Sequence, residues 1–166
     1  MLQILLSRTY YLFILIALAL TASSAASAPH IALSTVRRST SNTTLVTVNV
    51  SYSQGEPRLV ALQWDISYVP ADLMPATPSF YTSGPATKAS GKDVACRVVS
   101  EGNLRCLLIG LNTSVVVSGM IASLTFQILD IGVKSSPLNL TNVAGAAVDS
   151  TRVLLIGQTR KIEWAQ

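Results

Sequence analysis

The stretch that decides the fold is Val60-Ala-Leu-Gln-Trp-Asp-Ile-Ser-Tyr68, followed by Val69-Pro-Ala-Asp-Leu73. Val60, Leu62, Trp64, Ile66 and Tyr68 fall on one side of an extended chain, and Ala61, Gln63, Asp65 and Ser67 on the other. A two-residue period of this kind is a strand with one buried face. Pro70 stops it, because proline has no N–H to give to a ladder. Pro70-Ala-Asp-Leu73 then reads as a tight turn or one helical turn.

Working outward, the same period recurs. Val46, Val48, Val50 and Tyr52 alternate with Thr47, Asn49 and Ser51, and Gln54-Gly-Glu-Pro57 is turn chemistry. On the far side, Met120, Ala122, Leu124, Phe126 and Ile128 alternate with Ser123, Thr125 and Gln127. Shorter strands are predicted at Leu138 to Val143, Arg152 to Ile156 and Lys161 to Trp164. Residues 74 to 93, rich in Pro, Ser, Thr and Gly, read as a long loop with room for a short edge strand. No ten-residue stretch has a 3.6-residue period. Short strands at regular spacing, broken by Gly and Pro, indicate an all-β two-sheet sandwich of about nine strands.

Val94 to Val99 and Leu104 to Leu111 flank Glu101-Gly-Asn103 as the arms of a hairpin. With the turn near Gly102, Cys96 and Cys106 lie opposite each other and within reach of a disulfide. An exported chain would keep such a bridge.

Export is the expectation from the first segment. Arg8 precedes an apolar run from Tyr10 to Leu20, and Thr21 to Ala28 are all small residues. That is the layout of a secretory signal peptide. The run is short for a membrane span, which needs roughly 20 apolar residues. The expected division is therefore a signal at 1–28 and one sandwich domain at 29–166, located outside the cell, in a periplasm or on the cell surface. No membrane association is expected after signal removal. Ala26-Ser-Ala28 fits the cleavage rule, but Pro29 directly after it keeps cuts after Ala25 or Ala26 open.

Among the 166 residues are 12 Lys and Arg against 8 Asp and Glu. Losing Arg8 with the signal leaves eleven bases against eight acids, a net of +3. The bases are scattered from Arg37 to Lys161 in runs no longer than two, so the clustered footprint of a nucleic-acid binder is missing. His30 is the single histidine and two cysteines cannot build a Cys₄ site, so no metal is expected. No cofactor motif occurs.

Catalysis finds no support. There is no G-x-S-x-G and no histidine placed to serve a nucleophile. Asp65, Asp72, Asp93, Glu101, Asp130 and Asp149 are available carboxylates, but nothing pairs two across a cleft as glycoside hydrolysis needs. Asp65, on the polar side of its strand, reads as part of a solvated sheet face. Trp64, Tyr52, Tyr68 and Phe126 fall in the apolar phase and read as core. Phe80 and Tyr81, with Trp164 as a third, are the candidates for stacking a sugar ring. Sequons occur at Asn42, Asn49, Asn112 and Asn139.

Laid in order, three segments resemble the cohesin domains of cellulosomes. Leu62-Gln-Trp-Asp-Ile-Ser-Tyr-Val-Pro-Ala-Asp-Leu73 is similar to the cohesin strand that runs into a Y-x-P-x-x-L turn. Gly119-Met-Ile-Ala-Ser-Leu-Thr-Phe-Gln-Ile128 resembles the late G-x-[IL]-A-x-[IL]-x-F-x-[IV] strand, and Ser136 to Val143 with Ala146 and Val148 resembles the strand after it. The resemblance spans roughly residues 31 to 156. It implies a nine-stranded jelly roll, and a non-catalytic module that holds a dockerin-like or other extracellular protein on one sheet face. A carbohydrate-binding module of the same sandwich superfamily, with a polysaccharide ligand, is the alternative. The cysteine pair departs from the scaffoldin pattern, and no partner-contacting residue is carried over.

Overall fold

A computed structural model of the chain describes residues 27–40, 43–130, 132 and 135–163. The expected signal segment, apart from Ser27 and Ala28, and Trp164 lie outside them.

Two antiparallel sheets face each other. The first has five strands: β1 (His30–Thr40), β2 (Thr43–Ser53), β4 (Leu73–Pro75), β5 (Tyr81–Ser83) and β8 (Gly119–Ile128). The order is β1-β2-β8-β4, and β5 also pairs with β8. The second has six: β3 (Leu59–Tyr68), β6 (Asp93–Ser100), β7 (Asn103–Ile109), β9 (Ser135–Ala147), β10 (Arg152–Leu154) and β11 (Thr159–Glu163). Its order is β10-β9-β3-β7-β6, with β11 also on β9. Crossing from β2 to β8 and from β3 to β9 gives the jelly-roll connectivity of a sandwich.

The alternation read from sequence sets which side of each strand is buried. Leu62, Trp64 and Ile66 of β3 and Leu104, Cys106 and Leu108 of β7 are buried, as are Val46, Val48, Val50 and Tyr52 of β2 and Leu124 and Phe126 of β8. Tyr68 and Phe126 meet edge to face across the core, with ring centroids 5.4 Å apart. This is the geometry that ring quadrupoles favour.

Among the described residues the strands number eleven rather than about nine, and the surplus has a local cause. The stretch from 74 to 93 is not an open loop. It forms β4, β5 and a short helix α1 (Pro85–Ala89), which is too brief to leave a helical period in the sequence. Gly84 donates its N–H to the Ile121 carbonyl at 2.8 Å, and a Cβ there would run into the backbone of Met120. Thr87 donates to the same Ile121 carbonyl at 2.7 Å, and Ser90 accepts from the Val117 N–H at 3.0 Å. Lys92, only 4% exposed, donates Nζ to the Asn112 carbonyl and side-chain oxygens at 3.2 and 2.9 Å. Burial lowers its pKa. The small polar residues of this stretch are ties to β8 and to the loop after β7.

Cys96 and Cys106 are register partners on β6 and β7 and are joined by a disulfide. Trp64 is the next partner of Cys106, on β3. Closing a loop of ten residues stabilises by about 3 kcal/mol on chain-entropy grounds. Replacing both cysteines by alanine is expected to lower the unfolding free energy by that amount in urea titration. Thiol alkylation of the purified native protein should add mass only after reduction, and two free thiols beforehand would contradict the bridge.

Candidate functional site

The two outward faces differ in kind. On the five-stranded sheet, Ser34, Asn49, Ser123 and Thr82 make one row across four strands, and Thr47 pairs with Thr125 in the next. Ser123 donates to the Asn49 side-chain oxygen at 2.7 Å. These rows are polar and carry no charge.

The six-stranded sheet presents an apolar band instead. Across strands β10, β9, β3, β7 and β6, one row reads Leu154, Ala144, Gln63, Leu107, Ala95. Beside it, Arg152, Ala146 and Ala61 continue toward Ile109. The alanines leave a shallow depression between the larger side chains. Leu154 is 73% exposed and Ile109 51%. An apolar centre with charges at the margin is the composition of a protein-docking patch.

The next row carries charge: Thr141, Asp65, Arg105 and Arg97. Asp65 is not on a solvated face, as its strand phase suggested, but only 1% exposed. Arg105 lies over it, donating Nε to Oδ1 and Nη2 to Oδ2, both at 2.8 Å. Asn142 donates Nδ2 to Oδ2, also at 2.8 Å. Asn142 has a φ of 49°, and the β3–β9 register shifts between Gln63 and Asp65. Such a bulge re-aims a side chain, and here it turns the amide onto the carboxylate. Alternation alone carries no sign of a bulge, so the cover over Asp65 left no trace in the strand pattern.

The Arg105 hydrogen bonds hold the Asp65 carboxyl below its ordinary pKa, against the upward push of burial, and Asn142 adds to the lowering. The sign follows directly. The stability this carboxylate contributes is complete above about pH 4 and is lost as pH falls through the depressed folded value. Asp65→Ala is expected to cost about 2–3 kcal/mol at pH 7. That is below the 3–5 of a fully buried pair, because the Arg105 side chain is 36% exposed. Thermal melts at pH 7 and pH 3 should bring wild type and variant closer together at the lower pH.

Of the predicted stacking residues, the two that are described sit elsewhere. Phe80 and Tyr81 are half-buried against the core at the edge of the five-stranded sheet. Their rings meet at 68° with centroids 5.3 Å apart, so they do not share one plane. Of the sequon asparagines, Asn112 is engaged on both amide atoms, accepting from Lys92 and donating to Gly91. Among the described residues no three His, Cys, Asp or Glu side chains gather as a metal site would require.

This two-sheet arrangement is the fold of cohesin modules, found at low sequence identity. The sixth cohesin of scaffoldin B from Acetivibrio cellulolyticus, solved in complex with a dockerin, superposes with a TM-score of 0.68 at 15% identity, over 84% of this chain and 100% of its own. A cohesin module from a family 33 glycoside hydrolase of Clostridium perfringens gives 0.67 at 11%, over 81% and 95%. The OlpA cohesin of Clostridium thermocellum, also bound to a dockerin, gives 0.66 at 14%, over 82% and 99%. No protein-family model and no curated protein matches the chain.

Proposed function

We propose that the protein is an exported, non-catalytic binding module that holds a dockerin-like protein on the outer face of its six-stranded sheet. The observation that carries this is the apolar band of Leu154, Ala61, Leu107, Ile109 and Ala95, at least partly exposed around the buried Ala144, on a sheet stiffened by the disulfide and the Asp65 network. A rigid apolar patch loses little freedom when a partner covers it. The cohesin fold supports the partner class, since two of the structures it resembles were solved with dockerins on them. The signal-like first segment and the disulfide support a place outside the cytoplasm.

The test is a binding series with the exported chain immobilised, using dockerin modules from cellulosome-forming bacteria beside insoluble cellulose and chitin. Saturable binding of at least one dockerin supports the reading. Sedimentation with a polysaccharide and no dockerin binding would replace it with the carbohydrate-binding alternative.

A further inference from the structure

We infer that the outer face holds an anion subsite, a cleft between Arg97 and Arg105 that takes a carboxylate from an Asp or Glu side chain of the docked partner. This deepens the docking reading and rests on it. Arg97 and Arg105 are direct register partners on β6 and β7. Like charges placed opposite each other across two strands destabilise the pair. Arg105 is neutralised from below by Asp65, and among the described residues Arg97 has no ion-pair partner. Two neighbouring guanidinium groups are thus matched by one internal carboxylate, which bonds Arg105 alone. The Asp65 bonds occupy Nε and Nη2 of Arg105, so its orientation is fixed and Nη1 stays available. Ala95 and Leu107 line the same cleft, and the other acid in this part of the face, Asp93, sits two residues from Ala95 at the start of β6. A carboxylate there would be held by planar donors and flanked by apolar carbon, the setting in which charge-assisted bonds are strong. A repulsion left uncompensated inside the chain is relieved by the partner.

The experiment follows the arginine Nε–Hε signals of the exported chain by NMR while N-acetyl-Asp-Leu-amide is added. The Asn-Leu counterpart and D-galacturonate serve as comparison probes. The Arg97 and Arg105 signals are expected to move saturably with the Asp peptide, with affinity at least tenfold above the Asn peptide. Arg97→Gln should abolish the shift without lowering the melting temperature, since it removes a repulsion. Equal response to the Asn peptide, or none, overturns the subsite. A tenfold preference for galacturonate overturns the protein carboxylate and assigns an acidic sugar. A silent titration alongside intact dockerin binding removes only the subsite, whereas lost dockerin binding removes the reading beneath it.

A separate contact bears on where a signal would be cut. Glu56 donates its N–H to the Ser27 carbonyl at 3.2 Å, and Pro29 is buried. Gly55 lies so close to Ser27 and Pro29 that a Cβ would strike both. Ser27 thus belongs to the folded domain, and together with Gln54, Glu56 and Arg58 it lines a cleft. A cut after Ala28 would discard this contact, so we propose that cleavage falls upstream of Ser27, after Ala25 or Ala26. This also moves Pro29 away from the scissile bond. N-terminal sequencing of the exported protein should begin at Ala26 or Ser27. A start at Pro29, or an intact Met1, would overturn it.

Discussion

Trp64→Ala is expected to lower the unfolding free energy by about 4 kcal/mol, the largest loss of any single truncation in this fold. Trp64 is fully buried in β3, the strand paired on both sides within the six-stranded sheet. Its register partner on β7 is Cys106, itself bridged to Cys96 on β6. Removing the indole opens a cavity that stiff β-strands on both sides cannot collapse to fill. The disulfide beside it holds two of the walls in place, so relaxation is further limited. Trp64→Phe should cost much less, under about 1.5 kcal/mol. Among the described residues the indole N–H has no hydrogen-bond partner, so losing it removes a buried unsatisfied donor. Urea titration followed by circular dichroism reads both changes. A Phe variant as damaged as the Ala variant would mean that the indole nitrogen is bonded after all.

The second large effect concerns binding. A carboxylate placed in the middle of the apolar band, by Leu107→Asp or Ala61→Asp, is expected to weaken the docked complex about a thousandfold. Such a charge would be desolvated without a partner at the centre of the contact, where binding energy concentrates. The same substitution at Thr47, on the outer face of the other sheet, should leave binding unchanged. Folding should survive in all three, because Ala61, Leu107 and Thr47 point away from the core and keep part of their surface in water. Matching melting temperatures would confirm that the loss is local to the face.

How far the sequence could be read depended on how local each signal was. The strands β2, β3 and β8 were legible because one sheet face is buried along their whole length, which forces a strict two-residue period. The cysteine pair was legible because a tight turn at Gly102 fixes the register of its arms. Strand β9 was read short, as Leu138 to Val143. It runs from Ser135 to Ala147 and absorbs Pro137, which sits opposite Lys161 of the short outer strand β11. The apolar band was invisible for a different reason. It is assembled from alanines and leucines of five strands in the polar phase of their patterns, and only the register of the sheet brings them side by side. The covered carboxylate of Asp65 needs a bulge, which depends on how two distant strands pair.

Holding a protein on the six-stranded sheet is the function proposed for this sandwich. It is tested by calorimetric titration of the folded chain with the tightest-binding dockerin, repeated with Leu107→Asp and Thr47→Asp. A one-to-one complex is expected, which Leu107→Asp weakens about a thousandfold and Thr47→Asp leaves intact. Equal affinity for both variants, or loss only with Thr47→Asp, would contradict it.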